Sequence, residues 1–147
     1  IRTHSDKLKH CWLIGTWGDT PDRPGSAAYI PVIKEYMRRK LGIDCIFHDG
    51  QKYHVSIDDD EQIYKKTYDV LQLIFKEAEQ TYHLTADHIV VDFTSGIRSM
   101  GLGAILASLD GERDIEFVGT HYDAAGRIEP HKLFTMIFNF EAVLPRS

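Results

Sequence analysis

The chain has 147 residues, 43% hydrophobic and 27% charged, with a formal net charge of −5 from 17 basic and 22 acidic side chains. That length suits one domain with a real core, and that composition excludes a disordered chain. The acidic balance excludes a broad electrostatic grip on duplex nucleic acid, whereas backbone amides can still hold a small anion in a local pocket.

The opening stretch IRTHSDKLKH is polar and basic and does not start with methionine. It reads as a linker over residues 1–10, following an upstream segment, with the domain proper at 11–144. CWLIG, from Cys11, is a compact apolar run stopped by glycine, the pattern of a buried strand. TWGDTPDRPGS is rich in Gly, Pro and Asp and reads as loop. Ser26 is placed to cap a helix in which Tyr29, Ile30, Ile33, Tyr36 and Met37 recur at helical spacing. Pro31 is tolerated in its first turns, and Gly42 stops it.

IDCIFH, ending at His48, is a second short strand, and DGQKYHVSIDDD is a polar connection in which Asp59 or Asp60 caps the next helix. That helix carries Ile63, Tyr64, Thr67, Val70, Leu71, Ile74 and Phe75 at a period near 3.6. HIVVDF, 88–93, is a third strand, and a third helix is expected from Thr94 to about Leu109. DIEFVGTHY, 114–122, is a fourth strand, DAAGR a turn, and HKLFTMIFNFEAVL one or two final strands.

Alternating strands and helices with short connections predict the α/β class, here a three-layer sandwich with a mainly parallel central sheet and helices on both faces. In such sheets ligands bind at the carboxyl ends of the strands. Two polar, glycine-bearing loops sit at such ends, after the first strand and after the third.

In the second of these, Thr94, Ser95 and Gly96 fall where strand passes into helix. A helix N-terminus offers unpaired N–H groups and partial positive charge, hydroxyls add donors, glycine admits close approach, and Arg98 adds a fixed cation. Phosphate binding is one reading of this turn, and a plain helix cap with a surface arginine is the other. The following helix is rich in small residues, Gly101, Gly103, Ala104 and Ala107, which suit close packing on the sheet or on a second copy. In the first loop, Gly15 to Thr20, Thr16 and Thr20 can hydrogen-bond, and Trp17 can stack on a base or pack over the sheet edge.

Other chemistries find less support. The eight histidines are scattered without HxxxH or HExxH spacing, so no metal site is expected. There is no GxSxG elbow and no CxxC, and Cys11 and Cys45 read as buried thiols of a reducing compartment. No cofactor and no catalytic residue are assigned, and Asp92 is expected to be buried at its strand end and so to be no strong general base. No run approaches the ~18 apolar residues that span a bilayer.

The stretch Asp92, Phe93, Thr94, Ser95, Gly96, Ile97, Arg98, Ser99, Met100 resembles the D-x-T-G-G-T-K-x-M motif of CARF domains, the Rossmann-like sensors of type III CRISPR ancillary proteins. Asp92, Thr94, Gly96 and Met100 match, and Arg98 occupies the basic position. Ser95 replaces a glycine and Ile97 a hydroxyl residue, so no ligand contact is carried over to the Ile97 side chain. The IGTWGDT loop is similar in position to that family's first ligand loop, and the element order agrees along the chain.

The resemblance implies a homodimer that binds a cyclic oligoadenylate across its two-fold axis, cyclic tetra-adenylate being favoured. Its ligand-binding residues would be Gly15, Thr16, Trp17, Thr20, Thr94, Ser95, Gly96, Arg98, Ser99 and Met100. The expected function is allosteric control of a fused effector in antiviral defence, and the alternative is a ring nuclease that cleaves the same ligand. The expected location is cytoplasmic, with an inner-membrane association only through the upstream segment.

Overall fold

The computed structural model describes residues 4, 6–18, 20–22, 24–94 and 96–138. The fold is mixed α/β, with three α-helices and three small, mostly parallel sheets among the described residues. The chain divides into two compact units, Ile1–Phe75 and Lys76–Ser147. No helix among the described residues is long and apolar enough to cross a membrane.

In the first unit, strand β1 (His10–Trp12) pairs in parallel with β3 (Ile46–His48), with His10 opposite Ile46 and Trp12 opposite His48. Alternation along the strands sends Cys11 and Phe47 into a core with Met37, Ile43, Leu8, Leu13, Leu41 and Cys45. His10, Trp12 and His48 instead stack on one another, Trp12 lying 4.3 Å from the His48 ring.

Helix α1 (Ile30–Leu41) supplies Met37 and Leu41 to that core and ends on Gly42, whose left-handed φ of 63° lets Ile43 N–H reach Met37 O. Its apolar residues do not share one face. Ile30 and Met37 are buried, whereas Tyr29, Val32, Ile33 and Tyr36 are between 43% and 65% exposed. Helical spacing put Tyr29, Ile33 and Tyr36 with the core residues, but the apolar arc is wider than the face the sheet can cover. Ser26 is also not the cap of this helix. Residues Ser26–Tyr29 form a 3-10 turn without a side-chain cap, and the Ser26 hydroxyl bonds Thr16 instead.

Two short strands lie where loop was expected. Strand β2 (Thr16–Trp17) pairs in parallel with β4 (Val55–Ser56), through Val55 N–H to Gly15 O at 2.9 Å and Ile57 N–H to Trp17 O at 3.3 Å. The polar and glycine-rich surroundings hid these pairs, which exist only because two distant segments meet.

Helix α2 (Ile63–Tyr82) follows a 3-10 turn capped by Asp59, whose carboxylate accepts from Glu61 N–H at 3.1 Å. Its buried stripe is Ile63, Thr67, Leu71, Ile74, Phe75 and Ala78. Thr67 is tolerated there because its hydroxyl donates to Ile63 O at 2.8 Å.

In the second unit, β5 (Val90–Asp92) pairs in parallel with β6 (Asp114–Tyr122), which pairs antiparallel with β7 (Ile128–Phe138), in the order β5-β6-β7. Asp123 closes the hairpin, its carboxylate accepting from Ala125 and Arg127 N–H at 2.8 and 2.9 Å. At Gly119 a Cβ would fall 2.4 Å from the Phe134 ring, so glycine there admits the cross-strand aromatic.

Helix α3 (Arg98–Asp110) packs on β6 and buries Gly103, Ala104, Ala107 and Ser108. The small residues therefore serve the unit's own sheet, while Leu102 and Leu106 stay exposed. The helix starts at Arg98, not at Thr94. The Gly96 backbone at φ 124° and the extended Ile97 at ψ 141° interrupt helical geometry between the strand and the first turn. The expected strand residues 139–144 lie outside the described residues.

Candidate functional site

Within the first unit, β2 and the 3-10 turn after it shape the first loop. Thr16 N–H donates to Ser26 Oγ at 2.9 Å and Ser26 N–H to Thr16 Oγ1 at 2.9 Å, with the two hydroxyls 3.2 Å apart. This reciprocal clasp is buried at Thr16, and it occupies the hydroxyl that the sequence assigned to a ligand. Gly25 is required beside it, since φ is 76° and a Cβ would lie 2.2 Å from Thr16 O.

Gly15 is held on both polar groups. Its N–H donates to His54 Nδ1 at 3.2 Å, and its carbonyl accepts from Val55 N–H. Trp17 is 40% exposed and meets His54 edge to face, ring centroids 5.5 Å apart. Thr20 is exposed. Of the four first-loop candidates, Gly15 and Thr16 are thus structural anchors, and Trp17 and Thr20 present side chains outward.

Within the second unit, β5 leads Asp92 to the end of the parallel pair, where it is exposed rather than buried. Central pairing ends one residue later, with Phe93 N–H on Glu116 O at 3.1 Å. Beyond the ladder the exposed Asp92 side chain turns back on its own loop. Asp92 Oδ1 accepts from Thr94 N–H at 2.8 Å and from Thr94 Oγ1 at 2.5 Å. The same Thr94 oxygen accepts from Val118 N–H at 2.7 Å and ties the turn to β6.

After this turn Gly96, Ile97 and Arg98 are exposed, and Ser99 and Met100 are half-buried. Met100 and Gly101 N–H groups bond Ile97 O at 2.9 and 3.2 Å, so the Arg98 and Ser99 amides precede the first intrahelical bond. Among the described residues Arg98 has no ion-pair partner, and α3 has no side-chain N-cap. An anion at this helix start would meet two amides that have no partner among the described residues, the helix dipole and a guanidinium. Ser95 lies outside the described residues.

Sequence reasoning missed three features here: His54, the Ser26 clasp and the Val118 amide. Each acts across ten or more residues, so no local spacing could have announced it. Among the described residues no group of three or more His, Cys, Asp or Glu side chains could hold a metal ion. Cys11 is buried and Cys45 half-buried; neither forms a disulfide, and burial pushes the Cys45 thiol up against the opposing pull of Arg38.

A scan against protein-family models and a search of curated proteins each returned no match.

Proposed function

We propose that this chain is a CARF-type sensor module with a three-layer, Rossmann-like fold that binds a cyclic oligoadenylate, with cyclic tetra-adenylate favoured. The observation that carries the reading is the β5-turn-α3 junction. Gly96 holds the turn open at φ 124°, and the exposed Arg98 stands without an ion-pair partner among the described residues beside the uncapped first turn of α3. That combination suits a phosphodiester better than a plain cap, which would need a capping side chain. Within the first unit, the exposed Trp17 is by itself a surface on which a base can stack.

In this reading the module is a homodimer, because a symmetric ring of anions is met by two identical sets of loops. Binding favours one dimer arrangement and so controls a fused effector in antiviral defence, from the cytoplasmic side. Calorimetry with cyclic tetra-adenylate and cyclic hexa-adenylate tests it: heat with at least one ring is expected at micromolar protein, and no heat with either overturns the reading. Arg98→Ala should weaken binding about tenfold, the worth of one charge-assisted contact, without lowering the unfolding midpoint.

One observation favours a second reading, the ring nuclease. Asp92 is exposed and, among the described residues, accepts hydrogen bonds through Oδ1, so Oδ2 is placed to act as a base that takes the proton of a ribose 2′-hydroxyl. The deprotonated oxygen attacks the adjacent phosphorus, the 5′-oxygen leaves and takes a proton from water, and a 2′,3′-cyclic phosphate results. Chromatography of ligand incubated with the protein separates the two, since a sensor leaves the ring intact.

A further inference from the structure

The first loop contains a residue that neither motif nor spacing assigns. His54 lies between the 3-10 turn Gln51–Tyr53 and β4, and it touches the loop twice. Its Nδ1 accepts the Gly15 N–H at 3.2 Å, and its ring meets the Trp17 indole at 5.5 Å with an interplanar angle of 69°. A backbone amide can only donate, so Nδ1 carries a lone pair and the neutral ring keeps its hydrogen on Nε2. The next residue completes the grip, as Val55 N–H binds Gly15 O at 2.9 Å.

These contacts fix the imidazole before it fixes the indole. The Gly15 amide sets the position of Nδ1, and with only two rotatable bonds in the side chain the ring has little freedom once Nδ1 is held. Gly15 is itself packed closely, since a Cβ placed there would lie 2.8 Å from Ala27 Cα. Trp17 is 40% exposed and needs such a support, since an exposed indole without one samples several rotamers. An edge-to-face contact is favourable for aromatic rings and leaves part of the indole surface open.

We infer that His54 is the positioning residue of Trp17, holding the indole ready as a stacking platform for a purine base. This rests on the reading of the first loop as a ligand wall. The chemistry at the site agrees with a purine: a large π-surface stacks on indole, and the Nε2–H of His54 is a donor suited to the ring-nitrogen acceptors that purines carry.

The test uses the full chain with Trp12→Phe, which leaves Trp17 as the sole tryptophan. Acrylamide quenching of Trp17 is measured without ligand, and affinity for cyclic tetra-adenylate by calorimetry. His54→Ala should raise the quenching constant about twofold and weaken binding about tenfold, the share of one stacked base. His54→Asn retains an acceptor in place of Nδ1 but lacks the ring. It should keep the far-ultraviolet spectrum and unfolding midpoint while quenching like His54→Ala, which separates positioning from loop stability. Unchanged quenching in both variants overturns the inference, as does altered quenching with unchanged affinity. If the unsubstituted chain binds no ring, the ligand reading fails, and the quenching result still decides whether His54 holds Trp17.

Discussion

Replacing Ser26 with alanine should destabilise the chain by ~1–3 kcal/mol, and the reason lies in Thr16 rather than in helix α1. The substitution removes the acceptor of the Thr16 N–H, 2.9 Å away, and the hydroxyl contact at 3.2 Å, while Ser26 N–H keeps its bond to Thr16 Oγ1. Thr16 is only 7% exposed, so water cannot easily replace the lost partner of its amide. An orphaned buried donor costs more than the ~1 kcal/mol of an average hydrogen bond. Ser26 itself is exposed, and deleting one oxygen leaves no cavity. The chain should lose about 2–4 °C of melting temperature per kcal/mol.

Magnitude alone does not separate this from a helix cap, whose loss to alanine costs ~0.5–2 kcal/mol. Glycine does. A cap position tolerates glycine to within a few tenths of a kcal/mol, whereas the clasp loses its oxygen equally with either residue. Urea unfolding followed by circular dichroism should therefore place Ser26→Gly at or below Ser26→Ala. A Ser26→Gly variant close to the parent, with Ser26→Ala clearly weaker, would refute the clasp.

Thr94→Val should cost ~0.5–1.5 kcal/mol in the same assay, because it strips Val118 N–H of its 2.7 Å partner, while Thr94→Ser keeps the bond and the stability. Met37→Ala should cost ~2–5 kcal/mol as a core truncation, and Tyr36→Ser, one residue away on the exposed face, should stay within ~0.5 kcal/mol of the parent. Lys66 donates to Asp58 at 2.6 Å and, with Ser56, holds that carboxyl down to about 2. A depressed carboxylate contributes stability above its unfolded range, and that contribution is lost as pH falls toward about 2. The Asp58 carboxyl resonance should titrate there, and Lys66→Met should return it toward the ordinary carboxylate range.

The long elements were the legible ones. Of the seven residues read at helical period through α2, Ile63, Thr67, Leu71, Ile74 and Phe75 are buried, whereas Val70 is half-buried and Tyr64 exposed at the edge of the stripe. Gly42 and Asp59 could be read at their posts because their effects are local: a left-handed residue ends a helix, and a short carboxylate reaches an amide two residues on. β6 could be read to the residue, 114–122, from its bounding turns. The candidate turn at 94–100 was legible as a place but not as a geometry. Thr94 reads as a helix-start hydroxyl, yet its oxygen is shared between Asp92 and Val118, and the helix opens only at Arg98. The reason is the Gly96 conformation, which composition permits but does not require.

What the sequence determined alone was therefore the class of the fold, the order of its principal strands and helices, and the two polar loops worth attention. These follow from periodicity and from residues whose effect reaches at most four positions along the chain. The tertiary structure decided which faces of α1 are buried, the β2–β4 pair, the Thr16–Ser26 clasp and the placing of His54 against Gly15 and Trp17. Each of these joins segments 10 to 39 residues apart or depends on how much of a helix a neighbouring sheet can cover. Hydrogen bonds and ring contacts at that separation are set by where the backbone arrives, and no local pattern encodes that.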